Sequence, residues 1–132
     1  MGMPAATANC TVTGVDTHIV MVPTPGGPVP THLPHPFNGL LDGGLINTVK
    51  LNGQAAAVVG STASNTPSHL PTPPGTSFQK PPANKGTIFM GSPTVKIGGK
   101  QAARAGDPVT TCNDPADAPV GQIVAAGTVM IG

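Results

Sequence analysis

The chain repeats itself, and the repeat restricts its fold more than any other feature. "TVKLNGQAAAVVGS" (residues 48–61) lies without gaps over "TVKIGGKQAARAGD" (94–107), and a shorter copy, "TVMIG", closes on Gly132. Before each copy comes a glycine followed by an apolar stretch, at Gly39, Gly86 and Gly121. Self-similarity at a spacing of this size marks one supersecondary unit used several times. Three uses in one chain predict a pseudo-threefold object, with units at about 39–61, 86–107 and 121–132.

Each unit reads as strand, tight turn, strand. In "VKLNGQAA", Val49 and Leu51 share one face while Lys50 points to the other, as strand alternation requires. Asn52–Gly53 supplies the positive φ angles of a two-residue type I′ turn, and Gly98–Gly99 does so in the second copy. No segment shows a helical period with a cap in front. The expectation is an all-β fold of short hairpins, a single domain over residues 1–132 with no further domain appended to it. Pro-rich stretches at 22–38 and 62–85 are expected to be long, rigid loops, because proline fixes φ and removes a backbone donor.

Such a domain has little with which to build a core. The 132 residues include 18 Gly and 17 Pro but no Trp, no Tyr and three Phe. With 38% apolar residues and a formal charge of +1, the chain lacks the low hydrophobicity and high charge of disordered segments. It should fold, and a chain this small should need a staple such as a disulfide, a metal or a docked partner. The near-zero charge and the scatter of the basic residues from Lys50 to Arg104 argue against nucleic acid as a partner. No apolar run reaches the length of a membrane span. "MGMPAATANC" has neither a basic nor an apolar signal region, so the chain is expected to be made in the cytoplasm, and any export would need other machinery to carry it.

The residues able to hold a staple are few. Cys10 and Cys112 could form a disulfide, although a cytoplasmic start disfavours one. The alternative is a metal. His18, His32, His35 and His69 lack familiar zinc-finger spacing, but they fall in the segments before and between the repeats, as Cys112 does. If the units pack around an axis, these segments converge at one end. Three imidazoles and a thiolate there would close a tetrahedral zinc site, which in small domains contributes about 10–16 kcal/mol at neutral pH. His32 reads as the bystander, since His35 stands beside the "PFNG" that enters the first repeat. Enzymatic chemistry is poorly supported: there is no Glu, and the Asp residues mostly occupy turn-like contexts such as "GDP" and "NDPAD". A Cys112/His pair would lack an orienting third group, so the chain is expected not to be an enzyme.

The repeats, together with "QAAR" (101–104), "AAAV" (55–58), the D-x-H of Asp16 to His18 and "PH" at Pro34–His35, resemble the PAAR and PAAR-like proteins of contractile injection systems. Gln101 stands where the family's name-giving motif has Pro. The resemblance implies a small cone of β-structure seated on a trimeric β-helical spike of the VgrG type, one tip per trimer, in type VI secretion or phage-tail-like particles. It implies one structural zinc near the point, held by His18, His35, His69 and Cys112, with His32 as substitute. The function would be mechanical: a rigid tip that pierces the target envelope, touches the target membrane transiently and helps to load effectors. Docking on the spike would use apolar strand residues of "GTIFMG" and "GQIVAAG". Two other readings make different predictions. A secreted adhesin-like module would need neither spike nor metal, and a small zinc hydrolase would hold a metal with an exchangeable water.

Overall fold

The computed structural model describes residues 2–132; Met1, where the single domain read from the sequence begins, lies outside them. All regular structure among the described residues is β, in thirteen strands. These are β1 (Met3–Pro4), β2 (Thr11–Val22), β3 (Val29–Gly43), β4 (Ile46–Leu51), β5 (Gln54–Ala56), β6 (Thr62–Asn65) and β7 (Ser77–Phe78). They are followed by β8 (Lys85–Ile88), β9 (Lys96–Ile97), β10 (Lys100–Gln101), β11 (Pro108–Thr111), β12 (Ala118–Val124) and β13 (Met130–Ile131).

Six strands close into an antiparallel barrel in the order β12-β11-β8-β6-β3-β2, with β2 returning to β12 and β7 added alongside β2. Closure leaves the six strands without a free sheet edge around the ring. The repeat dictates its interior. Val12, Ala63 and Val109 on β2, β6 and β11, and Leu41, Ile88 and Ile123 on β3, β8 and β12, fill one core with Phe37. The recurring glycines explain how the walls approach so closely. A Cβ would lie 2.7 Å from the Ser64 carbonyl oxygen at Gly39, 2.9 Å from a Val109 methyl at Gly86 and 2.9 Å from a Thr111 methyl at Gly121.

At one end of the barrel, each strand leaving it meets the next strand entering it through a two-stranded hairpin. These are β4–β5, β9–β10 and a third made of β13 and β1, one strand from each end of the chain. Asn52 (φ 53°) and Gly53 (φ 80°), then Gly98 (φ 60°) and Gly99 (φ 83°), form the tight turns expected of them. The third repeat, which the sequence shows only as "TVMIG", is thus completed by Met3 to Cys10.

This completion creates a ring of alanines. Ala6, Ala57 and Ala103 are fully buried, and each amide donates to the next carbonyl around the axis: Ala6 to Ala103, Ala103 to Ala57 and Ala57 to Ala6, at 2.9, 3.0 and 3.0 Å. The Ala-Ala pair recurs in all three units, and all six of these alanines, Ala5–Ala6, Ala56–Ala57 and Ala102–Ala103, are buried. After each pair the chain turns through a left-handed residue, Asn9 (φ 68°), Gly60 (φ 95°) or Gly106 (φ 85°). The next side chain then accepts the amide three residues back: Cys10 Sγ from Thr7 (3.4 Å), Ser61 Oγ from Val58 (3.0 Å) and Asp107 Oδ2 from Arg104 (2.7 Å). Cys10 is therefore a turn cap, and both cysteines are free thiols.

The Pro-rich stretches differ from expectation. Residues 29–38 form strand β3 rather than loop, paired with β2 from Val22↔Val29 onward. Pro30, Pro34 and Pro36 share one parity and lie outside Gly39–Gly43, the only part of β3 that β6 flanks, so their missing N–H groups fall on an unpaired edge. Of residues 62–85, the first four are β6, which enters the barrel wall. The rest is largely irregular, with only β7 and the start of β8 in strand.

Candidate metal centre

Strand alternation builds the end of the barrel opposite the hairpins. On β2, Asp16, His18 and Val20 point inward; on β3, His35 and Phe37 do, and His35 pairs directly with Asp16. His69 comes from the loop after β6, where its amide donates to Asn84 Oδ1 at 2.7 Å. Cys112 follows β11 directly and is buried. The three imidazoles His18, His35 and His69 stand together, with ring centroids 4.9–5.6 Å apart. The Phe78 ring of β7 packs 5.7 Å from His18 and 5.4 Å from His35. His32 is exposed on the other face of β3, since a three-residue offset from His35 reverses the side of a strand.

The hydrogen bonds sort these groups. Asp16, with no exposed surface, accepts from His69 Nε2 at 2.8 Å, from the Cys112 thiol at 3.4 Å and from the Thr111 hydroxyl. Cys112 Sγ lies 3.7 Å from His18 Nε2. His35 donates from Nδ1 to the Leu33 carbonyl at 2.9 Å, and its Nε2 accepts the Thr72 amide at 3.1 Å. One donor atom from each of Asp16, His18, His69 and Cys112 fits within 4.8 Å of all the others, and this cluster could hold a metal ion. The donors suit one chemically: imidazole, carboxylate and thiolate are zinc's ligand types. Zinc bonds to N and S at a tetrahedral angle would hold the two atoms about 3.6 Å apart, close to the Cys112–His18 separation.

Asp16 is the group that residue-by-residue reading of the sequence overlooks. Its signal is the D-x-H spacing, because residues two apart on a strand share a face. Asp114 was equally hidden in "NDPAD"; its Oδ2 stands 3.3 Å from His18 Nδ1. His35 lies against the rings of the cluster but directs both nitrogens at backbone groups. A cleft of about 340 Å³ runs beside His35 and His69, lined further by Asn38, Asn65, Thr66 and Leu70.

Burial pushes the His35 pKa below its ordinary 6.5; the Leu33 carbonyl opposes this, and the neighbouring His18 and His69 add to it. Burial likewise pushes the Cys112 thiol above its ordinary 9.0, the backbone amide of Lys85 opposing and the Asp16 carboxylate adding. The unfolded chain therefore binds more protons just below pH 6.5, and the folded chain holds more above 9.0. Metal-free protein should lose stability as pH falls through 6.5 toward the lowered His35 value, and again as it rises past 9.0. Urea unfolding in the presence of chelator checks this, and stability that climbs toward acid would contradict it. Cys10 sits at the hairpin end, so Cys10→Ser should keep the metal content of the wild-type chain, read by elemental analysis.

A family model described as the PAAR motif matches residues 21–109 and 78–132, together most of the chain. No curated protein matches it.

Proposed function

Because the chain belongs to the PAAR-motif family, we propose that it is the tip of the spike of a contractile injection system, capping a trimeric β-helical spike of the VgrG type. The observation that carries this reading is the hydrogen-bonded ring of Ala6, Ala57 and Ala103. A single chain that presents three like hairpins around an axis can meet a threefold-symmetric platform unit for unit. The hairpin end is the docking face in this reading. Leu51, Ile97 and Ile131 hold matching positions in the three hairpins and pack in one apolar cluster with Val95 and Val129. Lys50, Lys96 and Lys100 lie on two of these hairpins, exposed and without an ion-pair partner among the described residues. Of the stretches "GTIFMG" and "GQIVAAG", Ile88 and Ile123 fill the barrel core, while Phe89, Met90 and Val124 are exposed and free to add to the docking face.

At the other end, a zinc ion held by His18, His35, His69 and Cys112 would tie together β2, β3, the loop after β6 and the segment after β11. His35 would have to give up the Thr72 amide to join it, and Asp16 is the oxygen donor already in place. X-ray absorption at the metal edge separates three nitrogens and one sulfur from a set containing oxygen. The metal would stiffen the point of a tip whose work is mechanical, without catalytic turnover, and the tip would leave the cell on the particle that it crowns.

The test is assembly. Mixed with its cognate spike trimer, the chain should be recovered by native mass spectrometry as one copy per trimer. Recovery of only free monomer would sink the proposal in favour of a module without a spike partner.

A further inference from the structure

We propose that Asp114 positions His18 for the metal, and that the short turn from Cys112 to Asp114 grips this imidazole from both sides. The inference rests on the metal reading above and concerns a residue outside the donor set. Cys112 Sγ lies 3.7 Å from His18 Nε2, on the cluster side of the ring. Two residues on, Asp114 Oδ2 stands 3.3 Å from His18 Nδ1 and accepts the Ile19 amide at 3.0 Å. The turn is itself pinned to β2 like an added strand. Asp114 donates its amide to the Thr17 carbonyl at 2.8 Å, and the Thr17 amide donates to Asn113 Oδ1 at 2.7 Å. The other carboxylate oxygen of Asp114 is 3.9 Å from Lys80 Nζ.

The chemistry follows from the acceptor. A carboxylate cannot donate, so a neutral His18 facing it must carry its proton on Nδ1 and leave the Nε2 lone pair directed at Cys112 and the metal cluster. Such an outer carboxylate fixes the tautomer and ring orientation of a ligating histidine and raises its basicity, and losing one typically costs about 10–100-fold in metal affinity. The turn thereby delivers a ligand and the orienting group of the neighbouring ligand together.

Two measurements test this. Long-range proton–nitrogen NMR of the metal-free wild-type chain should find His18 protonated on Nδ1; the Nε2–H tautomer would overturn the proposal, and this reading needs no variant. Chelator competition with zinc should show about 10–100-fold weaker binding by Asp114→Ala. Arg104→Ala, which breaks the ion pair with Asp107 at the hairpin end, should leave the affinity unchanged. Equal affinity in Asp114→Ala and wild type, or equal losses in both variants, would overturn the proposal alone. A wild-type chain that takes up no zinc would overturn the metal reading, and this proposal with it.

Discussion

Cys112→Ser should leave the chain unable to retain zinc, and its melting temperature in zinc should fall to that of the wild-type protein in excess chelator. Serine keeps the size of the side chain and can still donate to Asp16, so the substitution removes little except the thiolate. With Cys112 as the proposed ligand, its loss should exceed the roughly 10–100-fold cost of losing an outer-sphere partner. The effect on stability should be large because the core is poor: Phe37 is the only aromatic residue in the buried cluster, which otherwise holds Ala, Val, Leu and Ile. Against that, structural zinc in small domains contributes about 10–16 kcal/mol. Differential scanning fluorimetry with and without chelator reads the result. A Cys112→Ser protein whose melting temperature still responds to chelator as the wild type does would rule out the thiolate as a ligand.

Deleting residues 2–9 should abolish folding at 25 °C, although the segment contributes only two residues of regular strand. It removes Ala6 from the alanine ring and, outside the β1–β13 ladder, seven backbone hydrogen bonds. Four are donated by Ala5, Ala6, Ala8 and Asn9, and three accepted by Pro4, Ala6 and Thr7. At about 1 kcal/mol net for each bond, the loss rivals the whole stability of a typical domain, about 5–15 kcal/mol. A circular permutant that links Gly132 to Gly2 and opens the chain between Asn52 and Gly53 should fold, since β13 already pairs with β1. Far-UV circular dichroism and amide dispersion in NMR distinguish the two constructions. A deletion protein with wild-type dispersion would show that the ring is dispensable.

Much of this fold is local and therefore legible in the amino-acid sequence. The Asn52–Gly53 and Gly98–Gly99 turns, the alternation around Lys50 and the recurrence of the Ala-Ala pair need only neighbouring residues to be read. They specify an all-β chain with three like units, and the His and Cys content specifies the side chains from which a metal site could be drawn. The prolines of β3 read as loop from sequence because the outer neighbour of a strand is unknown there, and only the tertiary structure shows that β3 runs past β6, beyond the closed ring, where its outer edge is free.

Only the tertiary structure decided the rest. Pairing of β1 with β13 is a contact between opposite ends of the chain, so no local pattern marks "PAAT" (residues 4–7) as the third Ala-Ala copy. It also assigns Cys10, which matches Ser61 and Asp107 as a turn cap at the end of the barrel away from Cys112. In the same way Asp16 meets Thr111 and Cys112, almost a hundred positions away from it, because β2 and β11 both flank β12 in a closed ring. Sequence spacing reports which side chains share the face of one strand; which strands face one another is set by barrel closure, and closure is a property of the whole chain.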